Sequence, residues 1–121
     1  MIVVGIISII SAVSMAFYGD YVTRANRTDA RIALTETSAS LEKCKSLYAI
    51  YNSDDCNVAF PVTSDNGFYS IAATIITGAT FTLTATPVAG KRQATDADCT
   101  SLTLTHTGTK DGTGADVATC W

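Results

Sequence analysis

The first 19 residues carry no charged side chain, and this feature constrains the chain more than any other. The stretch from Met1 to Gly19 is apolar or small throughout, and the first charged side chain is Asp20. As an α-helix it would rise about 28 Å, close to the roughly 30 Å hydrocarbon thickness of a bilayer. A cleaved signal peptide would carry positive charge before the apolar stretch and a small-residue cleavage site after it, and neither is present. We therefore predict a membrane span rather than a signal peptide or a buried core helix.

The cysteines indicate on which side of the membrane the rest of the chain lies. Arginines follow the span closely, and the positive-inside rule alone would keep them in the cytoplasm. The cysteines, however, form an even set without C-x-x-C spacing, which favours disulfides in an oxidising compartment. These residues are Cys44, Cys56, Cys99 and Cys120. We expect that a basic leader, which this sequence does not contain, precedes Met1 and sets the topology.

Four cysteines permit three pairings, and the sequence favours one of them. Cys44 with Cys56, and Cys99 with Cys120, would each close a local loop and fasten one end of a predicted element. Only 70 residues follow residue 51, and a core of that size usually needs such staples. Each bond is expected to contribute about 3 kcal/mol in the loop-entropy description.

The remaining pattern predicts an α+β fold in which a long helix packs on a small antiparallel sheet. The first proline is Pro61, so residues 1–51 are predicted as one helix, with residues 1–19 as its hydrophobic segment. Residues 20–51 would pack on a globular head formed by residues 52–121. The packing face recurs at helical spacing and comprises Ala30, Leu34, Thr37, Leu41, Cys44, Tyr48 and Tyr51.

Beyond the helix the hydrophobic period changes to two, which predicts strands. Residues 68–76 and 80–86 form an expected hairpin, and residues 101–105 a third strand with one apolar and one threonine face. Residues 87–98 and 106–119 are rich in Gly, Ala, Asp and Thr, and are predicted as surface loops.

Charged side chains form one stripe on the helix and one small group in the head. The stripe contains Asp20, Arg24, Arg27 and Arg31. We interpret it as a solvated face, with a charge contact between subunits as the alternative.

The basic group in the head consists of Lys91 and Arg92, with Lys110 further along the chain. It could contact nucleic acid or another surface ligand. However, a net charge of −3 argues against a broad basic surface of the kind that neutralises many phosphates. Nucleic acid therefore remains a weakly supported partner.

No catalytic or metal-binding motif is recognisable. His106 is the only histidine, and no local motif gives it a catalytic partner. Asp54-Asp55 and Asp96-x-Asp98 lack the spacing, glycine and closing glutamate of a calcium loop. We predict a protein that is not an enzyme and needs no cofactor or metal.

Two parts of the sequence resemble the type IV pilins, in particular the type IVa group. The apolar run from Met1 to Ile10 and the tract Tyr18-Gly19-Asp20-Tyr21-Val22-Thr23-Arg24-Ala25 resemble the start of a processed pilin. In the head, the similarity to one pilin subgroup lies in Phe81-Thr82-Leu83-Thr84-Ala85-Thr86-Pro87, Asp98-Cys99, Leu102-Thr103-Leu104 and the terminal Cys120-Trp121.

This resemblance implies an α/β-roll head on a helical spine, in a structural subunit that polymerises with identical copies into an extracellular pilus. Motility, adhesion and DNA uptake are the roles it implies. It further implies cleavage and N-methylation by a prepilin peptidase, an inner-membrane pool with the head in the periplasm, and assembly by a membrane platform with an ATPase. The family's processing site is expected just upstream of Met1. Ala16 stands where many of these pilins have a proline.

The helical wheel predicts how the N-terminal segment packs in such a filament. One face consists of small residues, and another consists of the bulky residues Ile6, Ile9, Val13 and Phe17. The small face allows close approach of neighbouring helices. The small face comprises Gly5, Ser8, Ala12, Ala16 and Gly19. The alternative is a plain lipid anchor without specific packing.

Other functions stay open at this point. A minor pilin or a pseudopilin of a type II secretion system would share the N-terminal helix. A monomeric, membrane-tethered head that binds DNA or another ligand is the alternative from a different class. The predicted disulfides favour a pilin, since many pseudopilins stabilise the head with calcium instead.

Overall fold

The chain folds as a long helix with a five-stranded antiparallel sheet packed against its C-terminal half. The computed structural model describes residues 2–121, except for the side chains of Met15, Ala16 and Ile75. Helix α1 spans Ile2–Tyr48 and rises about 70 Å. The arrangement confirms the predicted α+β class.

Helix α1 ends at Tyr48, three residues before the predicted end. Ala49 takes a positive φ of 64°, and its N–H donates to the carbonyl of Lys45 at 2.8 Å. A left-handed residue at this position terminates a helix. As a consequence, Tyr48 is 44% exposed and does not join the packing face, so that prediction was wrong. Tyr51 is buried, but beyond the helix.

The sheet is a meander in which each strand pairs antiparallel with the next. Its strands are β1 Val62–Thr63, β2 Tyr69–Ile76, β3 Phe81–Pro87, β4 Ser101–Thr105 and β5 Lys110–Thr113. Strands β2, β3 and β4 lie within one residue of the predicted bounds.

The two segments predicted as surface loops contain regular structure. Strand β5 and a 3-10 helix at Val117–Thr119 lie within residues 106–119, so the prediction of a loop there was wrong. A second 3-10 helix, Arg92–Thr95, lies within residues 87–98. The edge strands β1 and β5 are both short. Strand β5 contains no apolar side chains whose alternation could have predicted a strand.

The core lies between the sheet and the buried face of α1. In β3 the side chains of Phe81, Leu83 and Ala85 are buried, while the intervening threonines face outward. Leu34 and Leu41 from α1 cover this surface, and each fully buried leucine stabilises the fold by about 1.5 to 3 kcal/mol. The sheet thus has one apolar face and one threonine face, as its period-two pattern predicted.

Candidate functional site at the helix-to-head junction

The N-terminal part of α1 exposes an extended apolar surface. Ile2 is 82% exposed and Phe17 is 73% exposed. Seven further large apolar side chains between them are exposed as well: Val3, Val4, Ile6, Ile7, Ile9, Ile10 and Val13. The helix is long and apolar enough to cross a membrane. Since apolar surface in water costs about 25 cal/mol per Å², this segment needs lipid or other apolar helices around it.

The predicted packing face is only partly open. A Cβ added at Gly5 would meet no atom within 4 Å, and Ala12 is exposed. The Ser8 hydroxyl donates to the carbonyl of Val4 at 2.8 Å, which satisfies its polar group within the helix. The side chain of Ala16 lies outside the described residues. The face is therefore open to a neighbour at its N-terminal end.

Gly19 has a different environment from the rest of that face. A Cβ built on Gly19 would lie 2.7 Å from the Nη2 atom of Arg92, and the Arg92 Nε donates to the Thr23 hydroxyl at 3.4 Å. The head therefore contacts α1 directly at Gly19. The sequence assigned this glycine to contacts between helices, and in the structure it accommodates an arginine of the same chain.

Arg27 forms a buried ion pair with Asp96. The prediction that Arg27 lies on a solvated face was therefore wrong. The Arg27 side chain is 1% exposed and that of Asp96 is 3% exposed. Its Nε and Nη2 donate to the two carboxylate oxygens at 2.7 and 2.8 Å. Its Nη1 donates to the hydroxyl and carbonyl of Thr119 at 2.9 and 3.1 Å. The hydrogen bond to Asp96 raises the pKa of Arg27, so the guanidinium stays charged.

The other arginines of the stripe differ in exposure. Arg31 is half-buried, and its Nε donates to the carbonyl of Cys120 at 3.1 Å, so it joins the helix to the C-terminus. Arg24 is exposed, as are Lys91 and Arg92. Of the arginines and lysine predicted to contact other molecules, Arg24, Lys91 and Arg92 are therefore available at the surface.

Gln93 connects the 3-10 helix Arg92–Thr95 to α1, and no sequence pattern indicated this role. The residue is fully buried. Its Nε2 donates to the Tyr69 hydroxyl at 2.8 Å and to the Thr23 carbonyl at 3.1 Å. Burial raises the pKa of Tyr69, with the Gln93 hydrogen bond acting in the opposite direction, so the phenol remains a neutral partner. These hydrogen bonds fix the position of the Arg92–Thr95 loop along the axis of α1, next to Thr23.

Disulfides close both ends of the head. The structure joins Cys44 to Cys56 and Cys99 to Cys120, which is the pairing favoured by the sequence. The second bond holds the C-terminus beside strand β4, and Trp121 donates its indole N–H to the Asp111 carbonyl at 2.7 Å. The C-terminal residues are thereby anchored on the sheet.

A groove of about 410 Å³ lies between α1 and the turn that precedes β2. Asp29 contributes to its lining, and its Oδ1 accepts from the backbone and side-chain amides of Asn66 at 3.2 and 3.0 Å. The Oδ2 atom is buried without a hydrogen-bond partner among the described residues. Asp29 thus positions the Ser64–Asn66 turn, but its second oxygen is sealed from anything that enters the groove.

No catalytic arrangement is evident in the part of the chain that the structure describes. The His106 ring lies 6.2 Å from the ring of Phe81, where it packs beside the core. Across residues 2–121, no group of three or more His, Cys, Asp or Glu residues could hold a metal ion.

Comparisons with known proteins connect this geometry to one family. The family model described as "Type IV minor pilin ComP, DNA uptake sequence receptor" matches residues 16–103. The fold resembles that of the non-core minor pilin PilV of Neisseria meningitidis, with a TM-score of 0.63 at 18% identity, over 78% of this chain and 89% of PilV. A type IV pilin of Shewanella oneidensis aligns with a TM-score of 0.49 at 26% identity, over 73% of this chain and 89% of that one. A search of curated proteins found no match.

Proposed function

The chain belongs to the type IV pilin family, and on this premise we propose that it polymerises with identical copies through the exposed N-terminal half of α1. It is a subunit of a type IV pilus, with a structural rather than an enzymatic role. Before assembly the chain would be stored in the inner membrane with its head in the periplasm. A prepilin peptidase and an assembly platform would act on it, and the filament would be extracellular.

One observation carries the proposal: α1 is apolar and exposed over residues 2–14, whereas the head is closed around its own core. A surface of this kind needs an apolar environment. Lipid provides it for the stored chain, and the same segment of neighbouring subunits provides it in a filament. The match to the pilin family supports a pilus rather than a type II secretion apparatus.

Ala12→Leu distinguishes a packed filament core from a plain lipid anchor. Leucine is as apolar as the lipid tails, so the variant should enter the membrane normally. In a packed core it adds volume where backbones approach, and overpacking costs about 1 to 3 kcal/mol per site. We expect sheared filaments to be shortened or lost while the membrane pool persists.

Ile9→Leu is the matched control, because Ile9 is exposed on the bulky face and the change conserves volume. Its filament yield should equal that of the parent. A normal filament yield from Ala12→Leu would refute the packed small face.

A second candidate function is DNA capture by a minor pilin. It is supported by the family match, whose description names a DNA uptake sequence receptor, and by the exposed pair Lys91 and Arg92. Few other basic groups are available, since the segment 52–121 contains three basic and seven acidic side chains. Binding would therefore rely on a small local patch rather than on a broad basic face.

Fluorescence anisotropy with labelled duplex DNA tests this candidate directly. The full-length protein in detergent should bind an uptake-sequence duplex more tightly than a scrambled one. Lys91→Ala/Arg92→Ala should weaken binding to both duplexes and reduce its salt dependence. Equal binding by the double variant and the parent would reject Lys91 and Arg92 as the contact.

A further inference from the structure

The end of the head nearest the membrane is defined by the contacts between α1 and the loop that contains Arg92–Thr95. Arg92 lies over Gly19, and its Nε reaches the Thr23 hydroxyl. Gln93 is bonded to the carbonyl of the same threonine. Lys91 and Arg92 therefore lie beside residues 19–23 of α1, at the same level along the helix axis.

That height corresponds to the surface of the membrane in the stored form of the protein. The uncharged stretch of α1 ends at Gly19, and Asp20 and Arg24 are the first charged side chains after it. Charged side chains at the end of a membrane-spanning helix lie at the polar interface rather than in the hydrocarbon layer. The residues that follow therefore lie at the level of the lipid headgroups. Tyr18 and Tyr21 are 68% and 71% exposed, and tyrosines are typical of this interfacial layer.

Charge is distributed unevenly between this end and the rest of the molecule. At this end, four basic side chains outnumber three acidic ones: Arg24, Arg27, Lys91 and Arg92 against Asp20, Asp96 and Asp98. The rest of the chain contains four basic and eight acidic side chains. Arg27 and Asp96 neutralise each other in their ion pair, which leaves the exposed cations Arg24, Lys91 and Arg92 against the two carboxylates Asp20 and Asp98 at this end.

We infer that Arg24, Lys91 and Arg92 bind the phosphates of anionic phospholipid headgroups while the chain is stored in the membrane. Guanidinium and ammonium groups match phosphate oxygens in charge and geometry. The acidic side chains in the rest of the head are repelled by the anionic membrane surface. Attraction of the three cations and repulsion of the acidic side chains therefore favour the same orientation of the head. This inference rests on the membrane-stored stage of the proposed function and is independent of polymerisation.

Hydrogen exchange on the full-length protein in lipid nanodiscs tests the inference. The probe is phosphatidylglycerol, in nanodiscs that contain it and in nanodiscs of phosphatidylcholine alone. Peptides that cover residues 88–98 should exchange several-fold more slowly in the anionic nanodiscs, and high salt should remove the difference. Peptides from β2, Tyr69–Ile76, should exchange equally in both, because this strand is held in the sheet.

Charge-reversal variants test whether Arg24, Lys91 and Arg92 are the residues that bind the lipid phosphates. Lys91→Glu/Arg92→Glu should abolish the difference between the two lipids, whereas Lys43→Glu/Lys45→Glu, the same charge change at the distant end of α1, should retain it. Because Arg92 also holds the loop against Gly19, Arg24→Glu serves as a second variant. Arg24 is exposed on the helix, and its reversal should reduce the difference.

Three results would overturn the inference. Equal exchange of residues 88–98 in both nanodiscs would exclude headgroup binding. Protection of the same residues by duplex DNA in phosphatidylcholine nanodiscs, without protection by phosphatidylglycerol, would assign these cations to nucleic acid. Failure of the chain to insert into either nanodisc would contradict membrane storage itself, whereas failure to form filaments would leave the nanodisc result unaffected.

Discussion

Replacement of Arg27 should destabilise the head more than replacement of any other charged residue on α1. Arg27→Met keeps the length of the side chain but removes the partner of a carboxylate that is 3% exposed. Asp96 would then retain the hydrogen bond from the Cys99 amide, at 3.3 Å. Loss of one partner from a buried ion pair costs about 3 to 5 kcal/mol, and the two hydrogen bonds to Thr119 are lost as well.

Urea unfolding of the full-length protein in detergent measures this cost. Trp121 is the only tryptophan and donates a hydrogen bond to Asp111 within the head, so its fluorescence should report loss of the head structure. Since domains are commonly stable by only about 5 to 15 kcal/mol, the unfolding midpoint of Arg27→Met should fall sharply.

Two further variants separate the ion pair from general effects on the helix. Arg24→Met, at an exposed position, should change the free energy of unfolding by no more than about 0.5 kcal/mol. Arg27→Met/Asp96→Leu should cost less than the sum of its two single changes, because no unpaired charge remains buried. A free energy of unfolding for Arg27→Met within about 1 kcal/mol of the parent, or a double variant whose cost equals the sum of the two single costs, would contradict a stabilising buried ion pair.

Three other substitutions test the fold, each by thermal unfolding of the full-length protein. Leu41→Asp should cost more than about 3 kcal/mol, because it removes a side chain that is 1% exposed and buries a carboxylate; an unchanged melting temperature would reject the packing of α1 on the sheet. Ala49→Gly should stabilise by about 0.5 to 1 kcal/mol, because glycine accepts the positive φ that ends α1; a lower melting temperature would contradict this. Gly114→Ala should destabilise strongly, since the added Cβ would overlap the Asp98 carbonyl at a φ of 141°; tolerance would show that the turn can relax.

Local periodicity predicted much of the fold. The helical spacing of Ala30, Leu34 and Leu41 and the alternation in β3 each follow from one apolar face against a core. Strand β5 lacks such a pattern, because an edge strand of polar residues and glycine is held by backbone bonds to β4. The end of α1 was misplaced because an alanine, rather than the polar residues after it, adopts the terminating conformation.

The junction between α1 and the head could not be predicted from local patterns. Arg27 and its partner Asp96 are 69 residues apart in the sequence, so the arginine stripe looked like an ordinary solvated face. Gln93 in a polar loop shows no sign that it is fully buried. Gly19 looked like part of a small-residue face, and its contact with Arg92 depends on how the whole head docks on the helix.

Site-specific photocrosslinking in sheared filaments tests the central claim most directly. A photoreactive amino acid at Val13, which is 55% exposed in the single chain, should yield covalent dimers and higher oligomers from filaments. The same substitution at Leu47, which is 66% exposed near the distant end of α1, indicates how much crosslinking arises outside the apolar segment. Polymerisation through the N-terminal half of α1 predicts an oligomer ladder from Val13 in filaments and lipid adducts from the membrane pool. Filaments that contain the Val13 variant but give only monomers after irradiation would contradict it.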